Sequence, residues 1–225
     1  SVAIGDLDSD GDADLVLANL NSDDISVLLN LGGGTFADDV RYGAGHVPGS
    51  VAIGDLDGDG DVDIAVANRD SDDVSVFLNH GDGSFADDLR LGAGIGPRSI
   101  AIGDLDCDGD LDLVVANGSS DSISVLLNHG DGSFTDDVGH GVGDRPFSVV
   151  INDLDGDGDA DIAAANFFSD DVSVILNLGE VGILVPAPDL AVTDILGPES
   201  PRAGQPFDVL WTVANQGRGA AVGVW

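Results

Sequence analysis

The chain has 225 residues, of which 42 are acidic and only seven are lysine or arginine, so its formal net charge is -35. Nucleic acid and anionic membrane surfaces are poor partners for such a chain because like charges repel. At 43% apolar residues the chain is too hydrophobic for a disordered acidic tail. One cysteine excludes an internal disulfide framework, and the longest apolar run is too short to insert into a membrane.

Four copies of one unit make up most of the chain. Each copy opens on a segment like SVAIGDLDGDGDVDIAVAN, and the copies start at Ser1, Ser50, Ser99 and Ser148, 49 residues apart. The acidic segment is followed by an apolar run, an SDD-type turn and a DISVLLN-type run. A fixed period of this length is typical of a repeat architecture. Each unit predicts about four short strands, which is the content of one blade of a β-propeller.

Hydrophobic periodicity supports strands in every unit. In the second unit, Val51 and Ile53 alternate with small residues, as expected for a first strand. Residues 64–66 are apolar on both faces, which a strand packed between neighbouring blades requires. In residues 79–83, glycines stand where a hairpin needs positive φ. The predicted fold class is therefore all-β.

We expect the repeats to form an open arc of a propeller. A blade cannot bury both of its faces alone, so stacking stabilises the array. Propellers close with about four to eight blades, and a ring of only four 49-residue blades would be unusual. The fourth unit lacks the phenylalanine that follows the glycines in the other three. The prediction is four four-stranded blades over residues 1–185, with further blades upstream.

The remaining residues predict a different structure. Residues 186–188 read Pro-Ala-Pro and predict a stiff linker. Residues 189–195 and 207–213 alternate like strands. Because a β-sandwich needs about 100 residues, residues 189–225 predict only the truncated start of such a domain.

The strongest chemical signal is the motif Asp-x-Asp-x-Asp-Gly-x-x-Asp, which occurs once in each unit. Five aspartates within nine residues place twenty of the 42 acidic groups in four short segments. Two unit charges about 4 Å apart repel by ~4 kcal/mol at an effective dielectric of 20. Carboxylates at this density take up protons or bind a cation.

Calcium suits this motif because it binds six to eight oxygens. In the first copy the predicted ligands are the side chains of Asp6, Asp8, Asp10 and Asp14 and the main-chain carbonyl of Asp12, with Gly11 providing the sharp turn and water completing the shell. We predict about four calcium sites, one per repeat. The other three sets are Asp55, Asp57, Asp59, Asp61 and Asp63; Asp104, Asp106, Asp108, Asp110 and Asp112; and Asp153, Asp155, Asp157, Asp159 and Asp161.

Other metal sites fit less well. An EF-hand needs a bidentate glutamate at its twelfth position and flanking helices, whereas that position holds Leu17, Val66, Val115 and Ala164. Zinc is disfavoured because the motifs offer no Cys or His ligands apart from Cys107 in a variable slot. Magnesium would prefer fewer protein oxygens and more water.

The segments DLDGDGDVDIAVAN and SVFLNHGDGSFADD resemble the FG-GAP or VCBS repeat family, which is related to the integrin α-chain propeller. The resemblance covers residues 1–185. It implies a β-propeller with calcium in the loop between the first two strands of each blade, bound by the aspartates named above. The tail PDLAVTDILGPESPRAGQPFDVLWTVANQG resembles the opening of the CARDB-type adhesion sandwich.

Nothing in the sequence predicts catalysis. The chain contains neither a Gly-x-Ser-x-Gly nucleophile elbow nor a phosphate-binding loop. The four histidines form no ligand set by spacing, and the acids around Cys107 are expected to raise its pKa.

We therefore expect a calcium-rigidified scaffold, secreted or on the cell surface, that serves adhesion or binds an extracellular protein or glycan. Millimolar extracellular calcium suits sites with a Kd of about 10⁻⁴ to 10⁻³ M. The sequence leaves two alternatives open: a non-catalytic accessory module of a large secreted enzyme, and a purely structural spacer.

Overall fold

A computed structural model describes residues 1–177, 184–186, 190–196 and 210–215. These residues form strands, turns and loops without a helix, and the predicted all-β class is confirmed. Within the described segments, no helical stretch has the length and hydrophobicity to pass through a bilayer.

Four antiparallel sheets follow one another along the chain, each a four-stranded meander. The first sheet contains β1 (Val2–Gly5), β2 (Asp14–Asn19), β3 (Asp24–Leu28) and β4 (Val40–Gly43). The second contains β5 (Pro48–Gly54), β6 (Asp63–Asn68), β7 (Asp73–Phe77) and β8 (Leu89–Gly92). The third contains β9 (Pro97–Gly103), β10 (Asp112–Asn117), β11 (Ser122–Leu126) and β12 (Val138–Gly141). The fourth contains β13 (Pro146–Asn152), β14 (Asp161–Asn166), β15 (Asp171–Asn177) and β16 (Leu184–Pro186).

The strand register places each acidic motif in the loop between the first two strands of a sheet. In the second sheet, for example, Gly54 at the end of β5 lies opposite Asp63 at the start of β6. The loop therefore begins where β5 ends, and its last aspartate already belongs to the ladder. The same register recurs as Gly5 opposite Asp14 and as Gly103 opposite Asp112.

Apolar cores lie between consecutive sheets. Between the first and second sheets, Val16 and Ile25 pack with Val51 and Phe77. The strands β6 and β10 are buried along all six of their residues, because each is covered on both faces by neighbouring sheets. Full burial of one such aliphatic side chain stabilises the fold by about 1.5–3 kcal/mol. The sequence expectation of strands that are apolar on both faces is confirmed.

The arrangement of sheets is open, as predicted. Val51 and Ile100 on the first strands of the second and third sheets are buried against the preceding sheet. Val2 and Ile4 on β1 stay 56% and 64% exposed, since none of the described sheets covers this face of β1. The fourth sheet is four-stranded although its sequence diverges, because β16 pairs with β15.

Two further strands, β17 (Leu190–Leu196) and β18 (Leu210–Asn215), pair with each other in antiparallel fashion. Pro186 ends β16, whereas residues 187 and 188 of the predicted linker lie outside the described residues. The undescribed residues also include residues 189 and 207–209 of the predicted tail strands and most of the remaining tail. The start of a sandwich domain stays a prediction.

Candidate metal sites

The four acidic loops comprise residues 6–14, 55–63, 104–112 and 153–161, and we number them first to fourth. They occupy equivalent positions in consecutive sheets, and neighbouring loops are close enough to touch. The Cys107 Sγ atom of the third loop lies 3.2 Å from Asp159 Oδ1 of the fourth. The repeats thus gather twenty carboxylates along one end of the stacked sheets.

Each loop is closed by its first aspartate. Gly11 adopts a φ of +91°, in the region that favours glycine, and its amide donates to Asp6 Oδ2 at 3.0 Å. The equivalent amides of the other three loops donate in the same way to Asp55, Asp104 and Asp153. The local motif therefore closes the loop with its carboxylates facing inward.

In every loop three carboxylates offer oxygens that lie within 4.8 Å of one another. The first and second aspartates always take part. The third joins them in the first and third loops, and the fifth joins them in the second and fourth loops. These groups are Asp6, Asp8 and Asp10; Asp55, Asp57 and Asp63; Asp104, Asp106 and Asp108; and Asp153, Asp155 and Asp161.

The fifth aspartate of each loop is buried and anchors the loop through both of its carboxylate oxygens. Asp63 Oδ2 accepts from the Leu56 amide and Asp63 Oδ1 from the Asn79 amide, each at 2.7 Å. Burial raises the pKa of Asp63 to about 6, although the two amide hydrogen bonds act in the opposite direction. Asp112 has the same environment, and its pKa is also raised to about 6. The fifth aspartate therefore belongs to the second strand and holds both the loop and the end of the third strand through hydrogen bonds.

The fourth aspartate of each loop stands apart from the carboxylate groups. The Asp61 carboxylate lies close over Gly81, and the Asp110 carboxylate lies close over Gly130. Neither side chain joins a group of three carboxylates. The use of a main-chain carbonyl at this position, as predicted for Asp12, stays a prediction.

Burial and neighbouring negative charge also disfavour the ionised form of the second aspartate. Burial first, and then the charge of the third aspartate, raise the pKa of Asp8, Asp57 and Asp106. Burial also raises the pKa of Asp155. A nearby cation would reverse this effect, because an opposite charge favours the ionised form of a carboxyl group.

Two of the loops contain buried carboxylate oxygens without a hydrogen-bond partner, and these indicate whether a cation fits. Asp6 Oδ1 and Asp104 Oδ1 are buried and accept no hydrogen bond. In the second loop the equivalent Asp55 Oδ1 accepts from the Gly58 amide at 2.8 Å. An unsatisfied buried carboxylate oxygen is costly unless something positive meets it. An all-oxygen set of carboxylates fits a hard divalent cation.

Sequence reasoning missed a set of asparagines that support the loops. Asn79, Asn128 and Asn177 end the third strand region of their units and are buried. Each donates its side-chain amide to a loop carbonyl of the preceding sheet, namely that of Leu7, Leu56 or Leu105. The sequence signal that could have identified them is their recurrence at 49-residue intervals.

The histidines and the cysteine take no part in these groups. Among the described residues, every group of side chains that could hold a metal consists of aspartates. His46 pairs with Asp23 at 2.9 Å instead. Hydrogen bonding to Asp159 is the main cause that raises the pKa of Cys107, with burial and neighbouring acids adding to it. The expected rise in the pKa of this thiol is confirmed.

Several solved structures share this arrangement of sheets. An Agrocybe aegerita lectin with specific recognition of non-reducing terminal N-acetylglucosamine is 25% identical, with a TM-score of 0.54 over 81% of this chain and 50% of the lectin. BBS1N in complex with ARL6DN is 14% identical, with a TM-score of 0.56 over 87% of this chain and 60% of BBS1N. The chain therefore spans half or slightly more of these proteins.

No curated protein matches the sequence. A family model, described as an FG-GAP-like repeat, matches three overlapping segments, residues 6–66, 55–115 and 105–164. Each match runs from one acidic loop through the second strand of the next sheet, so together they cover well over half of the chain. The chain belongs to the FG-GAP-like repeat family.

Proposed function

We propose that this chain is a calcium-stabilised scaffold, secreted or on the cell surface, that binds a glycan or protein ligand and does not catalyse a reaction. The buried, unpartnered oxygens of Asp6 and Asp104 carry the calcium part of this proposal. In each of these two loops the same aspartate also offers a carboxylate oxygen that lies within 4.8 Å of an oxygen from each of two further carboxylates. An oxygen-only set of this kind suits calcium better than zinc.

Calcium bound by these loops would neutralise the repulsion among the carboxylates. The first and second aspartates of each loop would hold it, together with the third or fifth. At one hundred times Kd, each site would add about 2.7 kcal/mol to the free energy of unfolding. Calcium binding would also stabilise the stacking of the sheets, because the buried asparagines bind the loop backbone from the next sheet.

Similarity to the lectin supports a ligand-binding role and favours a glycan. That protein is 25% identical over 81% of this chain, and its structure concerns recognition of a terminal sugar. The calcium proposal supports an extracellular location, because calcium there is millimolar and would fill even weak oxygen sites.

Thermal unfolding tests the calcium part. We expect 2 mM calcium to raise the Tm of metal-depleted protein by several degrees, with equimolar magnesium doing much less. The Asp108→Asn variant should lose part of this increase, whereas Asp38→Asn, outside the loops, should keep all of it. Equal Tm values in calcium and in EDTA would refute the proposal.

Ligand capture tests the binding part. The protein, immobilised in 2 mM calcium, is probed with a glycan array and with extracellular matrix proteins. We expect retention of a ligand in calcium and its release in EDTA. Calcium stabilisation without any retained ligand would instead identify a structural spacer.

A further inference from the structure

An Arg–Phe patch lies at the end of the sheets opposite the acidic loops. Its residues lie at the beginning of first strands or just before them, and in the turns that follow the second strands. All come from the second, third and fourth sheets. The patch consists of Arg69, Arg98, Arg145, Phe147, Phe167 and Phe168.

Two of these arginines stack on the phenylalanines. The Arg98 guanidinium lies 5.4 Å from the centre of the Phe147 ring. That of Arg145 lies 4.5 Å from Phe168 and 5.8 Å from Phe167. The Arg145 backbone has a φ of +55°, and its amide donates to Asp121 Oδ1 at 2.8 Å. This bond fixes the unusual backbone conformation from which the side chain extends.

Arg98 and Arg145 have no carboxylate partner among the described residues, although the chain carries 42 acidic groups. The other described arginines all do: Arg41 pairs with Asp24 and Asp39, Arg69 with Asp70, and Arg90 with Asp73 and Asp88. The Nε atom of Arg98 is buried and finds no acceptor. Burial, and then the charges of Arg145 and Arg69, lower the pKa of Arg98. Arg98 and Arg145 are thus half-buried guanidinium groups without a carboxylate to neutralise them.

A cavity of about 190 Å³ adjoins these groups. Arg69, Arg98 and Phe147 line it together with Leu20 and Pro97. The Arg69 guanidinium already binds Asp70 at 2.7 Å, which leaves Arg98 as the unpaired cation of the wall. A cavity of this size admits a single small ring or side group with one charged substituent.

The exposure of Phe167 is a property of its position in the repeat. Phe147, Phe167 and Phe168 are 52%, 59% and 62% exposed. Leu20, which occupies the place of Phe167 in the first unit, is 45% exposed although the second sheet follows it. The turn after the second strand therefore stays at the surface even where a neighbouring sheet is packed against its blade.

The acidic loops are too distant to repel an anion from this patch. Phe147 lies within β13, and the first aspartate of the fourth loop, Asp153, follows it by six residues, which is about 20 Å at about 3.3 Å per residue. The Debye length is about 8 Å at physiological ionic strength. Repulsion by the loops is therefore screened, while the attraction of Arg98 and Arg145 acts at contact.

We propose that the Arg–Phe patch binds the carboxylate-bearing terminal sugar of an acidic glycan, such as a uronic acid. Guanidinium groups pair with carboxylates through parallel hydrogen bonds. Phenylalanine rings offer the flat apolar surface against which a sugar ring packs, as expected for a pocket with few polar groups. This inference rests on the proposed scaffold function and specifies its ligand.

The test compares methyl β-glucuronide with methyl β-glucoside, which differ only in carboxylate against hydroxymethyl. In 2 mM calcium, calorimetry should give about tenfold tighter binding of the glucuronide. In nuclear magnetic resonance spectra, the signals of the Arg98 Nη groups should shift on titration with the glucuronide. Equal binding of the two sugars, or an unmoved Arg98 signal, would overturn the inference.

Three variants locate the site. Arg98→Gln and Phe147→Ala should each weaken glucuronide binding about tenfold. Arg41→Gln removes the same charge from strand β4, outside the patch, and should leave binding unchanged. Loss of binding in all three would overturn the assignment, and so would preference for a tetraglutamate peptide over the sugar. The calcium-dependent Tm of each variant is measured in parallel, so that failure of this inference is separable from failure of the scaffold function.

Discussion

The side-chain amide of Asn128 donates to the main-chain carbonyl of Leu56 at 2.7 Å, across the boundary between the third and second sheets. Leu56 lies in the second acidic loop, between its first two aspartates. Asn79 makes the equivalent bond to Leu7 at 2.8 Å. Each of these loops is therefore held in shape by the sheet that follows it. Any cation bound by the loop is linked energetically to the stacking of the sheets.

Replacing Asn128 should show the strength of this link. Asn128→Ala leaves the buried Leu56 carbonyl and the partly buried Leu111 carbonyl without their side-chain donor. Asn30→Ala is the matched control, because the Asn30 side-chain amide donates to the Ala13 carbonyl within its own unit and to no carbonyl of another described sheet. We expect Asn128→Ala to cost about 1–3 kcal/mol more in the free energy of unfolding, measured in urea. Equal losses in the two variants would contradict a stabilising contact between sheets.

The third loop should separate two roles of its aspartates. In Asp112→Asn, one of the acceptors of the Leu105 and Asn128 amides becomes a donor. This variant should lose about 2–4 kcal/mol with or without calcium. Asp108→Asn keeps an acceptor for the Asp110 amide, so metal-free stability should hold while calcium affinity falls. Urea unfolding and calcium titration measure the two effects, and similar behaviour of the two variants would refute the distinction.

On acidification, the metal-free stability and the stability added by calcium should change in opposite directions. Asp63 and Asp112 titrate near pH 6 in the folded protein, against 3.8 as their ordinary value. Between these values the folded state binds more protons than the unfolded state, so metal-free stability should rise as the pH falls from 7.5 to 5. Protons compete with calcium for the carboxylates, so the calcium-dependent increase in Tm should shrink over the same range.

Tm values at three pH values, in metal-free buffer and in 2 mM calcium, check this prediction. A metal-free Tm that falls on acidification, or a calcium increment that stays constant, would disprove it.

Glycine at position 132 should matter more than its counterpart in the first unit. Gly132 has a φ of +74°, and a Cβ there would come within 3.0 Å of the Leu78 side chain of the preceding sheet. Gly34 has a φ of +78°, but a Cβ there would meet nothing within 4 Å. Both alanine variants bear the backbone strain of about 1–2 kcal/mol. Gly132→Ala should cost about 1 kcal/mol more, and thermal unfolding that shows equal losses would rule out crowding between the sheets.

Local features of this fold could be predicted from the sequence. The Asp-x-Asp-x-Asp-Gly motif determines the conformation of its loop locally, since its carboxylates and the turn at Gly11 lie within nine residues. The 49-residue period predicted four four-stranded sheets, and the run of apolar residues 64–66 predicted strands covered on both faces. The metal ligands assigned to these aspartates remain predictions, as do the boundaries of the tail.

Contacts between repeats were decided by the tertiary structure alone. Asn128 and Leu56 are 72 residues apart, and Arg98 stacks on Phe147 at a separation of one repeat. The period gives the spacing of the units along the chain, but the twist and offset between stacked sheets determine which side chains meet. The role of Asp63 could not be predicted from the sequence either. Its position in the motif suggests only a metal ligand, whereas its burial between strands makes it the anchor of the loop. The sequence alone thus specified the loops and the strands, and packing determined what they touch.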